Sequence, residues 1–431
     1  MAAYQPNSIN LTKAVIEFTS DDLLVNHDIT SSLIEITIDE GLWQTTLNGR
    51  LMFIDAADIF NKIDFDGTEL VKVDFSSPGG RDISFEMQVY KDVVTQSPDG
   101  GGGKIVQLFF VSKEHFVDPV VDINVVFSGT ISEFVKKLYI PLKSTKPLIV
   151  HPTTGSLNTH IPGMTSFEAI EFVGNRAFDG KYTSSLFTFY ETFDAYHFAN
   201  VERLIADNRK TALKYTYSPT GNLQAKDKSQ QFIIESLSTK SNKDVMKKLV
   251  GGMYSSAVTT VDLINQNVTT RTFKLDSDES FQRFVHLDDE AMSLDSVKQI
   301  EDSLSVSGPN FWLTRTYVDA TRSTNFEVLI PRRLYLMTAL EQVETSIVVP
   351  GNSDLTTGMV IDIDMLEQNA STKTKEQEEK ISGNYLVTKI QHMITRDSYK
   401  CAVMLAKESY RANVRRPTKN FVSNAIIRKP K

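Results

Sequence analysis

The chain has 431 residues, of which 41% are hydrophobic and 23% are charged, and its formal net charge is −8. The length predicts about three or four domains, and the composition is that of a globular rather than a disordered protein. The acidic balance argues against a surface that neutralises phosphates in general, such as nucleic-acid-binding proteins carry.

The N-terminal part of the chain predicts β-strands and almost no helix. Alternating apolar and polar residues predict strands at about 14–18, 32–38, 48–54, 68–75, 85–91 and 105–111. The glycines Gly100–Gly103 predict a long hairpin tip between the last two of these strands. A phosphate-binding loop is excluded there, because Pro98 and Ile105 stand where that pattern requires Gly and Ser or Thr.

The next part, 117–228, predicts an α+β domain. Thr130 and Glu133 have capping-box spacing and open a predicted helix through Tyr139, and Thr165 and Glu168 open a second one that runs to Phe178. The aromatic run at 186–198 predicts strands. A stacking platform for bases or sugars is the alternative, but alternating Phe and Tyr are more typical of packing, and no basic cluster lies beside them.

The remaining chain returns to strand-like patterns around a polar insertion. Residues 231–261 alternate, 262–330 are polar and irregular, and Pro331 precedes a predicted helix at 332–343. Strands are predicted again from 343 to 410, with a solvated loop from Glu367 to Lys380. The tail 411–431 has no acidic residue and seven basic ones: Arg411, Arg415, Arg416, Lys419, Arg428, Lys429 and Lys431.

Three strands at 357–410 repeat the order of those at 68–116, and each set ends in a similar exit, Lys113-Glu114-His115-Phe116 and Lys407-Glu408-Ser409-Tyr410. We therefore predict a mainly β, α+β chain with two similar antiparallel β-barrel domains and α+β insertions. The expected division is a first barrel at 1–116, a middle domain at 117–228, a second barrel at 229–261 and 343–410, an insertion at 262–342 and a basic tail at 411–431.

No catalytic, cofactor or metal residue is predicted. The histidines lack the spacing of metal ligands on a helix, and the closest two, His151 and His160, bracket a loop. Cys401 is the only cysteine, which excludes an intrachain disulfide, and it lies in an alternating strand that predicts a buried, inert thiol. No stretch approaches the ~18 apolar residues of a membrane span and no signal region opens the chain, so we expect no membrane span and synthesis in a cytoplasm.

Four segments carry a family likeness. They are DLTTGMVI at 354–361, GNYLVTKIQH at 383–392, LAKESY at 405–410 and NTHIPGMTSFE at 158–168. In these the chain resembles the central baseplate hub proteins of contractile-tailed, T-even-like bacteriophages and, more remotely, the hub part of type VI secretion spike proteins. The Gly100–Gly103 hairpin, the 367–380 loop and the basic tail have no place in the family pattern.

The resemblance implies a homotrimeric, non-enzymatic virion protein. Two barrels per chain would give a pseudo-sixfold collar that joins a sixfold tail tube to a threefold spike and lets DNA pass without specific binding. The implied partners are the central spike, the tail tube or tube initiator, baseplate wedge proteins and the tape measure protein. The implied location is the tail baseplate, after assembly in the host bacterial cytoplasm. A tail-associated cell-wall hydrolase and a receptor-binding module are the alternatives.

Overall fold

The computed structural model describes residues 7–20, 23–56, 66–96, 104–217, 231–241, 255–262, 266–274, 285–288, 313–318, 326–365 and 381–408. The expected hairpin tip at 100–103, the expected loop at 367–380 and the basic tail at 411–431 lie outside these residues. Within the described residues no helix is long and apolar enough to cross a membrane.

The described residues form mainly β structure, as predicted. The strands are β1 (Asn10–Ser20), β2 (Leu23–Asp28), β3 (Leu33–Gly41), β4 (Asn48–Asp55), β5 (Leu70–Ser76), β6 (Asp82–Gln96), β7 (Lys104–Val111), β8 (Ile123–Gly129), β9 (Leu148–Val150), β10 (Leu157–Met164), β11 (Phe187–Glu191), β12 (Tyr196–Asn200), β13 (Leu213–Tyr217), β14 (Ser236–Ser241), β15 (Ser255–Asp262), β16 (Asn267–Lys274), β17 (Leu313–Val318), β18 (Val343–Pro350), β19 (Val360–Met365), β20 (Gly383–Ile394) and β21 (Tyr399–Lys407). The helices are α1 (Glu114–Val117), α2 (Ile131–Tyr139), α3 (Ser166–Gly174), α4 (Val201–Asn208) and α5 (Phe326–Leu340), with 3-10 turns at Asp118–Val120, Ile140–Leu142 and Arg209–Thr211.

The strands from both ends of the chain lie in one 13-stranded sheet. Its order is β14-β18-β21-β20-β3-β4-β7-β6-β5-β1-β2, with β19 beside β20 and β13 beside β19. The prediction of two closed barrels is therefore corrected to an open, continuous sheet. The reason is that β20 is longer than β19, so its second half remains available and pairs with β3 of the N-terminal unit.

One apolar core serves both units of this sheet. Phe53 and Val106 of the N-terminal unit and Tyr385 and Val403 of the C-terminal unit belong to a single buried cluster. Packing inside it is tight at Gly49, where a Cβ atom would lie 2.3 Å from the backbone oxygen of Thr37. Because both units contribute to the same core, burial joins them as well as backbone hydrogen bonding.

The middle part of the chain forms a smaller layer of its own. β8 pairs with β10, β12 lies between β9 and β11, and helices α2 and α3 pack on a separate apolar cluster. Both predicted helix starts are confirmed, since the side chains of Thr130 and Thr165 accept hydrogen bonds from the backbone of Glu133 and Glu168. Helix α3 ends at Gly174, four residues before the predicted end.

Three further elements differ from the expected pattern. β13, from the expected middle domain, pairs in parallel with β19 in the main sheet, whereas β15 lies with β16 and β17 in a separate sheet. Helix α5 begins at Phe326 and contains Pro331, rather than starting after it. Burial of Tyr335 and Leu336 on this helix offsets the backbone hydrogen bond that the proline removes.

Candidate assembly site at the junction of the two repeats

The two units of the main sheet repeat the same strand order. The first runs β3-β4-β7-β6-β5-β1 and the second runs β14-β18-β21-β20-β19-β13. All neighbouring strands in both units are antiparallel except β13 and β19, which are parallel. The repeat of three strands predicted from the sequence is confirmed, and it extends to six.

A β-bulge at the same place in each unit fixes which residues correspond. The pairing of β6 with β7 shifts between Val89 and Lys91, and the pairing of β20 with β21 shifts between Val387 and Lys389. Aligning the bulges places Lys91 on Lys389. Each of these lysines has a partner directly opposite it on the next strand, and that partner has one in turn. In the first unit the series is Lys91, Phe109, Arg50 and Thr37, and in the second it is Lys389, Met404, Ser346 and Ser238, so the two series correspond member by member.

The two units meet where the second half of β20 pairs with β3. Six residue pairs form this antiparallel contact, from Lys389 opposite Gly41 to Ile394 opposite Ile36. Side chains reinforce it on the outer face, where the Nε2 atom of Gln391 donates to Asp39 at 3.2 Å and the ammonium of Lys389 lies 3.2 Å from the same carboxylate. This junction is the feature that turns two repeats into one continuous wall.

A polar pair is buried on the inner face of the same junction. Glu40 and His392 have no exposed surface, and Oε2 of Glu40 lies 4.0 Å from Nε2 of His392. The other carboxylate oxygen of Glu40 accepts from the backbone nitrogen of Thr357, and Nδ1 of His392 is 2.8 Å from the hydroxyl of Tyr399. The ring of Phe193 packs edge-on against the imidazole at 5.1 Å.

Burial sets the ionisation of this pair. Desolvation raises the pKa of Glu40 to about 7, although the hydrogen bonds from Thr357 act in the opposite direction. Desolvation likewise lowers the pKa of His392 to about 3. Both groups are therefore driven toward their neutral forms, which is the lowest-cost way to keep them in an apolar junction.

Side-chain hydrogen bonds tie loops to the junction. The turn after β5 is held to the loop before β19, because the Ser77 and Ser353 hydroxyls are 3.0 Å apart and Nε of Arg81 donates to the carbonyl of Ser353 at 2.7 Å. The buried Glu191 of β11 accepts from the backbone nitrogen of Leu47 at 2.7 Å and from Nζ of Lys146 at 2.6 Å. The serine and arginine contacts therefore hold the two repeats together, and the Glu191–Leu47 bond fixes the middle layer against the main sheet.

An open apolar groove of about 480 Å³ lies on the outer side of the sheet. Its exposed large apolar lining residues are Trp43 at 53%, Met404 at 49% and Met337 at 42%. Large apolar side chains exposed together in this way are typical of surfaces that contact other proteins.

The described residues bring no catalytic set together. Among them no group of three or more His, Cys, Asp or Glu side chains is placed to hold a metal ion. Cys401 is buried, as predicted, and burial raises the pKa of its thiol to about 11, which favours the protonated form. His151 and His160, the pair considered from the sequence, instead accept from the backbone of Asn200 and contact Asn124, respectively.

Sequence reasoning did not find Glu40. The signal was present, because Ile36, Ile38 and Glu40 occupy alternate positions of β3 and a carboxylate there falls on the core face. The predicted strand ended at residue 38 and so omitted it.

Known structures match the chain over nearly its whole length, although no protein-family model and no curated protein sequence matches it. The tail protein from Neisseria meningitidis MC58 aligns with a TM-score of 0.52 and 13% identity, over 92% of this chain and 97% of that one. The 43 kDa tail protein of prophage MuSo2 from Shewanella oneidensis gives 0.48 and 9%, over 93% and 99%. The Francisella PdpA-VgrG complex gives 0.45 and 10%, over 94% and 53%.

The structural neighbours are thus phage tail proteins and VgrG-related spike proteins, as the resemblance in the sequence predicted. At these identities, it is the fold that the chain shares with the Neisseria protein.

Proposed function

We propose that this chain is a structural protein of a contractile phage tail, where it forms the trimeric central hub of the baseplate. The observation that carries the proposal is the repeated six-strand unit joined into one wall through β20 and β3. The shared fold with a tail protein from Neisseria meningitidis MC58 supports it.

The repeat would allow a threefold assembly to match a sixfold one. Three chains with two similar units each supply six similar positions around an axis, whereas a spike below them needs only three. The proposed collar therefore joins a sixfold tail tube or its initiator to a threefold central spike, and it contacts baseplate wedge proteins and the tape measure protein. A net charge of −8 suits a conduit that DNA passes without being held.

The domain division is part of this proposal. The N-terminal repeat at 1–116 and the C-terminal repeat formed by β13, β14 and β18–β21 would line the channel, and the middle segment from 117 to 212 and the insertion that contains β15–β17 would lie outside it. Insertions are tolerated in a ring where they leave the lumen and the contacts between units open. The basic tail 411–431 is proposed to dock an acidic neighbour in the baseplate.

We also propose that the chain has no enzymatic activity. The buried Glu40 and His392 have no exposed surface, so no substrate could reach them. Purified protein is expected to show no hydrolysis of peptidoglycan, nucleotides or esters above background. Reproducible turnover abolished by one carboxylate substitution would instead favour a tail-associated hydrolase.

Electron cryomicroscopy of tail particles, purified through a tag on this chain, tests the location and the copy number. The expected density shows three copies at the tail axis, with six β units alternating around the channel. A peripheral position, or either insertion occupying the axis, contradicts the hub assignment and favours a receptor-binding module.

A further inference from the structure

We propose that neighbouring copies of this chain join by strand pairing, with the second half of β6 from one copy antiparallel to β14 of the next. The inference rests on the proposed trimeric hub and specifies which edges meet and in which register. It is carried by the internal junction between β20 and β3, which provides a template for the contact between copies.

Both edges lack a strand partner among the described residues. β6 pairs with β5 only up to Gln88, so beyond the bulge its edge opposite β7 has no neighbour in the described sheet. β14 pairs with β18 on one side and ends the described sheet on the other. Val93 and Val94 on β6 are 38% and 44% exposed, and Ser238 and Lys240 on β14 are exposed too.

These two edges are the counterparts of the two that meet inside the chain. Position for position, the second half of β6 corresponds to the second half of β20, and β14 corresponds to β3. Inside the chain those two counterparts pair, as His392 opposite Ile38 illustrates. Unpaired backbone donors and acceptors on a strand edge are a template for another strand, and here the repeat identifies that strand.

The correspondence predicts the register without further assumption. Carrying the internal pairs over to their counterparts gives Asp92–Ser241, Val93–Lys240, Val94–Thr239, Thr95–Ser238 and Gln96–Leu237. A shift by one residue would turn every side chain to the opposite face. The register can therefore be tested by a single pair of positions.

Side-chain burial agrees with this pairing. His392 and Ile36 are fully buried in the internal junction, whereas their counterparts Val94 and Leu237 are 44% exposed and half-buried. A second copy would cover both.

The contact joins two different edges, so each copy offers one of each kind. Such head-to-tail contacts form a ring when the rotation between copies closes. In a trimer three internal junctions would alternate with three contacts between copies, which gives one continuous wall of six units.

Cysteine crosslinking tests the pairing and its register. The full chain carrying Val94→Cys and Thr239→Cys is oxidised, both as purified protein and in assembled tail particles, and is run on non-reducing gels. Directly opposed positions have Cβ atoms about 4.5–5.5 Å apart, and a small movement of the two edge strands brings them to the roughly 3.5–4.5 Å of a disulfide. The native Cys401 is buried and does not compete. We expect covalent dimers and trimers.

The matched control is Val94→Cys with Ser238→Cys, in which the second cysteine lies one residue away and on the opposite face. We expect on the order of tenfold less crosslinking in this control. Mixing the two single variants Val94→Cys and Thr239→Cys should give only dimers, which establishes that the bond joins different copies.

Crosslinking that is absent in both samples, or equal in the control, overturns the strand pairing. The proposed hub function is tested separately, by the copy number and the position of the chain in tail particles. A centred trimer without the Val94–Thr239 bond would sink this inference alone.

Discussion

At the scale of single residues, the junction between the repeats buries a carboxyl group against an imidazole. Glu40 accepts from the backbone of Thr357, His392 contacts the Tyr399 hydroxyl and the Cys401 thiol, and the facing atoms of the pair remain 4.0 Å apart. Isolated charges at such a site are costly, because the surrounding groups cannot replace water. The pair therefore makes the stability of the chain depend on pH.

The first prediction concerns Glu40→Gln. A folded-state pKa of about 7, raised from 4.5, gives stability that is present below about pH 4.5 and is lost as the pH rises through about 7. Glutamine keeps the acceptor for Thr357 but does not ionise. Between about pH 4.5 and pH 8 we expect the unfolding free energy of the native chain to fall relative to the variant by on the order of 3 kcal/mol.

Urea unfolding at a series of pH values measures this difference. Glu86→Gln, at a half-exposed side chain on β6, is the control for replacing a glutamate outside the core. Equal slopes for the native chain and Glu40→Gln would mean that Glu40 titrates as an exposed carboxyl group.

At the scale of elements, short-range sequence signals predicted secondary structure well, whereas the pairing of strands distant in sequence was not predicted. The N-caps at Thr130 and Thr165 each involve residues within four positions of one another, so the sequence alone predicts both helix starts. The contact of β3 with β20 joins residues about 350 positions apart, and alternation reveals a strand but not its partner. The predicted start of α5 after Pro331 was wrong, because burial of the helix outweighs the tendency of proline to interrupt helices.

The second prediction concerns the cap of α3. The hydroxyl of Thr165 accepts from the backbone nitrogen of Glu168 at 3.3 Å, and the Glu168 carboxylate accepts from the backbone nitrogen of Thr165 at 3.1 Å. Thr165→Ala removes the first bond and should cost about 1 kcal/mol of unfolding free energy. Thr165→Ser retains the hydroxyl and should cost much less. Thermal unfolding of both variants decides it, and equal losses would assign the effect to packing of the methyl group.

At the scale of the whole molecule, one sheet and one core make the two repeats a single structural unit. Closed barrels would each have satisfied their own backbone groups, and a chain of two such barrels could unfold in two steps. Here the second half of β20 belongs to both repeats, since it pairs with β21 of its own unit and with β3 of the other. Loss of either unit would leave this strand with an unpaired edge.

The third prediction follows from Ile390, which is fully buried between β3 and β21. Ile390→Ala should cost about 2–5 kcal/mol, because the cavity opens in the core that both repeats share. Native-state hydrogen exchange should show amides of β4 and of β21 losing protection by the same amount. The control is Ile140→Ala, at a side chain that is 70% exposed and should change little. Loss of protection confined to β18–β21 would mean that the repeats fold independently, and the wall would then be two units in contact rather than one sheet.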